Sequence, residues 1–220
     1  MGSLIFVGVG PGDPELITFK AVKALQGADT IALPDSGAGT SAAETIVAEW
    51  IQGKSILRLP MPMRGEKEDW AAAHAAAADA LIDLLRQGRA IAYPVLGDPL
   101  LYATSGYLLQ SIAPHHPCEV IPGIPAMCAA AARVQQPLAE GREPLTILPG
   151  YEPDTALPDG NVVVMKAGRS LAALQRKLTE EGRIAWVVQN LGMPGEQASP
   201  IQSFNAQGRQ GYFTTVLVKP

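Results

Sequence analysis

Cysteine is close to absent: only Cys118 and Cys128 occur in 220 residues. Two thiols so placed build neither a disulfide framework nor a zinc site. Cys128, inside an alanine run, reads as a small core residue. Histidine is as scarce. His74 falls on an alanine-rich stretch and reads as surface, while His115 and His116 sit in a loop between prolines. No metal-ligating set and no serine–histidine–acid pattern follows. Aromatic residues make up 5% of the chain, too few for a platform that stacks single-stranded nucleic acid. A net charge of −4 gives no attraction to nucleic acid or to an acidic membrane surface. The apolar run 4–9 is too short and lacks a basic leader for a signal peptide, and no run reaches the length of a membrane span. Repeats and low-complexity tails are missing too. The expectation is a soluble, cytoplasmic protein with no metal and no nucleic-acid or membrane partner.

What is present is apolar surface and glycine. Hydrophobic residues reach 47% against 17% charged, enough to bury one large or two small cores. Strand and helix patterns alternate. Strands are expected at 4–9, 30–33 (stopped by Pro34), 55–59, 89–95 and 118–121, with helices at 14–26, 42–51, 67–87 and 102–112. Ser41 and Glu44 have the spacing of a capping box, and Asp13-Pro14 that of an N-cap and first helical residue. Beyond Pro122-Gly123 helices are expected at 125–135 and 170–181, with strands at 145–148, 161–165 and 184–188. Two late strands, near 201–204 and 212–218, lie close enough to pair antiparallel. The pattern predicts α/β architecture with a largely parallel sheet, and domains over 1–122 and 123–220.

The glycines are not scattered. Gly8-Val9-Gly10-Pro11-Gly12-Asp13 ends the first strand, a layout of strand, tight turn and helix start that can receive a nucleotide-like ligand. Its spacing does not fit the dinucleotide fingerprint, and Asp29 and Asp35 are badly placed to hold a ribose. Leu96-Gly97-Asp98-Pro99 ends another buried strand. Glycine there lets backbone approach a ligand, and Asp98 can accept ligand hydrogens or simply begin the next helix. Pro122-Gly123-Ile124-Pro125-Ala126 is a third turn. Val162 to Met165, followed by Lys166-Ala167-Gly168-Arg169, ends in a soft side chain that serves as core filler or as a wall beside a ligand.

Val7 to Asp13 with Leu16 and Thr18, in tandem with Gly97-Asp98-Pro99, resembles the tetrapyrrole methyltransferases, S-adenosylmethionine enzymes acting on corrin and sirohaem precursors. The resemblance runs from Val7 to about Val218. It implies two α/β domains of the tetrapyrrole methylase type, with the active site in the cleft between them, and a homodimer. It also implies a donor site, largely of backbone, at Pro11, Leu96, Gly97, Asp98, Leu101, Pro125, Ala126, Met165 and Leu191. Pro125 stands where the family usually has Thr or Ser, which removes a hydroxyl and an amide donor. Within the family, Leu59 to Met63, Pro137 to Gly141 with Glu143, and Met165 to Arg169 look like the precorrin-2 C20-methyltransferases, including the cobalt-factor II enzymes. The implied reaction methylates the C20 meso carbon of a dimethylated tetrapyrrole, in cobalamin synthesis, and leaves S-adenosylhomocysteine. That substrate carries many carboxylates, for which Arg58, Arg64, Lys67, Arg142, Lys166 and Arg169 are the basic candidates. Asp98 is the one acid with a candidate catalytic role, orientation before proton abstraction. Other corrin methylases, the uroporphyrinogen methylase, a Rossmann-type methyltransferase or dehydrogenase and a non-enzymatic binding protein remain as alternatives. No motif separates a metal-free from a cobalt-loaded substrate.

Overall fold

Apolar runs of four to six residues, most of them closed by glycine or proline, become the strands of two five-stranded sheets. The computed structural model describes residues 2–37, 39–62, 67–153, 155–208 and 210–220, without the side chains of 67 and 68. Two compact units divide the chain, Met1–Ile124 and Pro125–Pro220.

The first unit runs β1 (Ser3–Gly8), α1 (Phe19–Gly27), β2 (Thr30–Asp35), α2 (Ala42–Val47), β3 (Ser55–Pro60), α3 (Lys67–Arg86), β4 (Ala90–Val95), α4 (Ser105–Ile112) and β5 (Cys118–Ile121). Its strands are all parallel, in the order β3-β2-β4-β1-β5. Helices cover both faces, which is why β1, β2 and β4 read as unbroken apolar runs. Leu4, Phe6, Ile91 and Tyr93 pack with Leu81 and Leu85 of α3 and Leu108 and Ile112 of α4. Val7, Ile31 and Leu33 pack with Ala21 and Leu25 of α1 and Ile46 and Val47 of α2.

Several boundaries differ from the sequence pattern, each for a local reason. The expected helix 14–26 is interrupted. Asp13 Oδ1 accepts Glu15 N–H at 2.9 Å and caps only a 3-10 turn, Pro14–Leu16. Thr18 Oγ1 then accepts Ala21 N–H at 3.1 Å and starts α1 afresh; a second cap a few residues on takes the helix start. Pro34 does not stop β2. β4 pairs only with Thr30 and Ile31, so one side of β2 has no ladder left to lose at Pro34, and the pairing with β3 continues to Asp35. Asp98-Pro99 does not begin a helix: α4 starts at Ser105, beyond Tyr102, whose φ is 52°. The helix expected over 42–51 stops at Val47.

The Ser41–Glu44 capping box forms and acquires a third member. Ser41 Oγ accepts Glu44 N–H at 3.1 Å, and the Glu44 carboxylate takes both guanidinium nitrogens of Arg58, at 2.7 and 3.1 Å. Arg58, with further help from the Ser41 backbone N–H, lowers the Glu44 pKa, while that of Arg58 rises. A carboxyl depressed on folding contributes stability above its unfolded pKa and loses it as pH falls through the folded value. Acid titration of thermal stability is therefore expected to fall less steeply below about pH 4.5 in Glu44→Gln than in the unaltered chain. Parallel curves would remove this pair from the acid response.

The second unit runs α5 (Ala126–Val134), β6 (Leu145–Leu148), β7 (Asn161–Val164), α6 (Leu171–Glu180), β8 (Ala185–Gln189), β9 (Gln197–Pro200) and β10 (Thr214–Val218). The strand order is β6-β7-β10-β8-β9. Only β6–β7 is parallel; β10 runs antiparallel to both its neighbours and β9 antiparallel to β8. The two late strands thus do not pair with each other. The first lies at Gln197–Pro200, ahead of the expected 201–204, which is a 3-10 turn. One face of the sheet packs on Leu171, Leu174 and Leu178 of α6. The other packs on Ala130 and Ala131 of α5, with Met127 and Val134 beside them. Cys128 falls off that face and is exposed, contrary to the core position expected of it. Among the described residues no helix is long and apolar enough to cross a membrane, and no cluster of His, Cys, Asp and Glu could hold a metal ion.

Candidate functional site

Three motifs far apart in sequence follow three strands that are neighbours in the first sheet. β1 lies between β4 and β5, so the turns after Gly8, Val95 and Ile121 emerge side by side at the carboxyl ends of parallel strands. That edge is where open α/β sheets receive ligands. The turns are joined. Val9 N–H donates to Val95 O at 3.0 Å, and Gly97 N–H to Gly10 O at 2.7 Å, an isolated bridge outside the strands. It brings Pro11, which is buried, next to Leu96, Gly97 and Asp98. Gly97 has φ 73°, a left-handed conformation that a β-branched side chain does not tolerate.

Below this bridge the main chains are in contact. A Cβ on Gly123 would lie 2.1 Å from Gly97 O and 2.8 Å from Gly8 C, and one on Gly8 would lie 2.4 Å from Gly123 N. Asp98 locks the same junction. Its Oδ1 accepts Leu100 N–H at 2.8 Å and its Oδ2 accepts Gly123 N–H at 3.1 Å. Asp98 is thus a clip between the ends of β4 and β5, and Leu101, half-buried, closes the turn with N–H to Asp98 O at 3.4 Å.

In the second unit, Met165 follows β7 and Leu191 lies two residues after β8. Both pack partly buried on the face that carries α5, with Met127 and Val188. Pro125 is the N-cap of α5 and Ala126 its first residue; no side chain caps this helix, as expected where proline replaces a hydroxyl. Lys166 and Asn190 both take left-handed backbone, φ 54° and 50°. The Lys166 ammonium lies 5.6 Å from the centre of the Tyr212 ring, a cation–π distance. Asn190 N–H donates to Phe213 O at 2.8 Å.

The basic candidates are differently placed. Arg58 is engaged by Glu44. Arg142, in the loop before β6, and Arg169, ending a 3-10 turn, are exposed. Arg64 and the Lys67 side chain lie outside the described residues, as does Met63.

The sequence reading missed the Asp98–Gly123 bond, the crowding at Gly8, and the aromatic pair Tyr212–Phe213, 5.4 Å apart and edge to face. It also missed Tyr102. Glycine itself signalled the first two; nothing in the sequence signals a tyrosine at positive φ. The first unit offers backbone turns and one acid already committed to two amides, and the second offers apolar side chains. Such surfaces hold and orient a ligand.

Comparison with known proteins agrees with the fold. The family model described as Tetrapyrrole (Corrin/Porphyrin) Methylases matches residues 3–202. The chain is 36% identical, over 99% of its length and 95% of the relative's, to a protein named precorrin-2 C(20)-methyltransferase from Sinorhizobium sp. It is 29% identical, over 99% and 96%, to a cobalt-precorrin-2 C(20)-methyltransferase from Salmonella typhimurium. Among solved structures, a putative cobalamin synthesis related protein from Corynebacterium diphtheriae superposes with TM-score 0.78 at 23% identity, over 100% of this chain and 98% of that one. A cobalt precorrin-4 methyltransferase superposes with TM-score 0.74 at 19% identity, over 99% and 94%; both likenesses concern the fold. With the glycine turns in place at the ends of β1, β4 and β5 and the family model spanning nearly the whole chain, this protein belongs to the tetrapyrrole (corrin/porphyrin) methylase family.

Proposed function

We propose that the chain is an S-adenosylmethionine-dependent C-methyltransferase that methylates the C20 meso carbon of precorrin-2 or cobalt-factor II in cobalamin biosynthesis. The observation that carries the reading is the near full-length identity to a relative named for that reaction. The residues fit the donor. The Gly10–Gly97 bridge sets Pro11 beside Leu96, Gly97 and Asp98, and Met165 and Leu191 offer apolar, polarizable surface. When bound, the sulfonium donor supplies an electrophilic methyl group, which passes to C20 as the carbon–sulfur bond breaks.

Acceptance at an electron-rich carbon needs alignment and exclusion of water more than it needs a strong base. The backbone turns supply alignment. Asp98 orients the loop it belongs to, because both its oxygens hold main-chain amides. The proton lost from C20 goes to water. Arg142 and Arg169, both exposed, would meet substrate carboxylates, with Lys166 beside the Tyr212 ring as a third candidate; Arg58 serves Glu44 first. The family resemblance of the sequence also supports a homodimer acting in the cytoplasm, which sedimentation at micromolar concentration addresses; monomer alone would count against it.

The deciding experiment is anaerobic incubation with S-adenosylmethionine and either precorrin-2 or cobalt-factor II. We expect one added methyl group by mass and loss of the C20 proton resonance for at least one of them. Turnover of uroporphyrinogen III, with neither of these accepted, would replace the proposal with the uroporphyrinogen methylase reading.

A further inference from the structure

Large apolar side chains in this protein mostly fill its cores, yet two that follow the Gly97–Asp98 turn are exposed. Leu100 is 61% exposed and Tyr102 43%; farther on, in α4, Tyr107 is 62% exposed. The segment that bears Leu100 and Tyr102 is held at both ends. Leu100 N–H donates to Asp98 Oδ1, and the buried Ser105 hydroxyl donates to Pro99 O at 2.6 Å. Tyr107 is backed by His74 of α3, ring centres 5.1 Å apart and planes 16° from parallel.

Within this braced segment Tyr102 has φ 52°. A bulky aromatic residue rarely adopts left-handed backbone, and such outliers concentrate where a side chain must be aimed at a ligand. Helix α4 starts only at Ser105, and Tyr102 stays partly exposed.

On the methyltransferase reading, on which this inference rests, the turn at Gly97–Asp98 faces the donor, and the acceptor carbon must lie within bonding reach of the donor's methyl group. We infer that Leu100 and Tyr102 are substrate-binding residues that form an apolar wall for the conjugated macrocycle. An extended π system offers a broad, weakly hydrated face, which an aromatic ring meets by stacking or edge-on. A rigidly presented tyrosine gives that contact at low entropic cost, since it has few torsions to freeze. The substrate's carboxylates project from the macrocycle's rim and leave its face free for such a wall.

Tyr102→Asn and Tyr102→Phe separate the ring from the backbone. Asparagine tolerates left-handed backbone, so the turn survives, while phenylalanine keeps the ring. Three readouts are needed: anaerobic fluorescence titration with precorrin-2, steady-state kinetics, and calorimetry with S-adenosylhomocysteine. In Tyr102→Asn the precorrin-2 Kd and KM are expected to rise about tenfold or more, the scale of one lost aromatic contact. In Tyr102→Phe they stay close to the unaltered values, and S-adenosylhomocysteine affinity holds in both. Unchanged precorrin-2 binding in Tyr102→Asn overturns the inference. An equal loss of S-adenosylhomocysteine affinity overturns it too, since the ring would then serve the donor. The titration and kinetics use whichever of precorrin-2 and cobalt-factor II the unaltered protein binds. Unaltered protein that binds one of them and methylates neither sinks the methyltransferase reading, and the titration still decides the role of Tyr102. If it binds neither, both fail.

Discussion

Gly123→Ala is expected to destabilise the first unit by about 3 kcal/mol or more, at the upper end of what overpacking costs. The added carbon would sit 2.1 Å from Gly97 O, 2.8 Å from Gly8 C and 2.9 Å from Gly8 Cα. All three are main-chain atoms, so no rotamer change relieves the contact. Either β5 moves away from β1, breaking the ladder from Leu4 to Val7, or the Gly97 turn moves and releases Gly10 and Asp98. The control is Gly106→Ala in α4, where a Cβ meets nothing within 4 Å. There the gain in helix propensity is about 0.5–1 kcal/mol. Urea unfolding of the two variants, compared with the unaltered chain, should show shifts of opposite sign. A Gly123→Ala protein as stable as the original would mean that the three strand ends are not in contact as described.

Asp98→Asn is expected to lower turnover by roughly tenfold, about 1.4 kcal/mol of barrier, and to cost about 1–3 kcal/mol of stability. The stability cost separates the observed geometry from simple helix capping, which asparagine would preserve. The carboxylate accepts two amide hydrogens, one on each oxygen. An asparagine side chain can accept only one and must turn its own N–H toward the other. The junction of β4 and β5 then loosens where the Gly97 turn is anchored. A general base would show a larger loss, about 10²–10⁴-fold. Thermal unfolding together with single-turnover rates distinguishes the two. Full turnover in a folded Asp98→Asn protein would take this residue out of the catalytic apparatus altogether.

The strands were legible because parallel strands covered on both faces carry unbroken apolar runs, as Leu4 to Val9 and Ile31 to Leu33 do. The glycine turns after β1, β4 and β5 were legible because glycine takes left-handed backbone at no steric cost and allows a backbone contact that a Cβ would block, so Gly97 and Gly123 stand out in the sequence. Partnership was not legible. Nothing near Asp98 in sequence says that it reaches Gly123, and Glu44 gives no sign of Arg58. The helix expected over 14–26 failed because Thr18 competes as a cap with Asp13, a contest between two good N-caps that spacing alone does not decide. The antiparallel character of the second sheet was only half visible. Closeness in sequence allowed the two late strands to pair with each other, whereas both instead flank β8.

That last arrangement governs how the second unit can assemble. β10 is the last strand in sequence order yet occupies the centre of its sheet, between β7 and β8. Until it arrives, β6–β7 and β8–β9 are two separate pairs whose inner edges lack partners, and the apolar faces of α5 and α6 have no continuous surface to cover. The first unit has its middle strand once β4 is made and needs nothing beyond β5 to complete its sheet. On the ribosome, the first unit can therefore fold while the second is still being made. The second must wait for nearly its final residues, held meanwhile as open edges of the kind that chaperones protect.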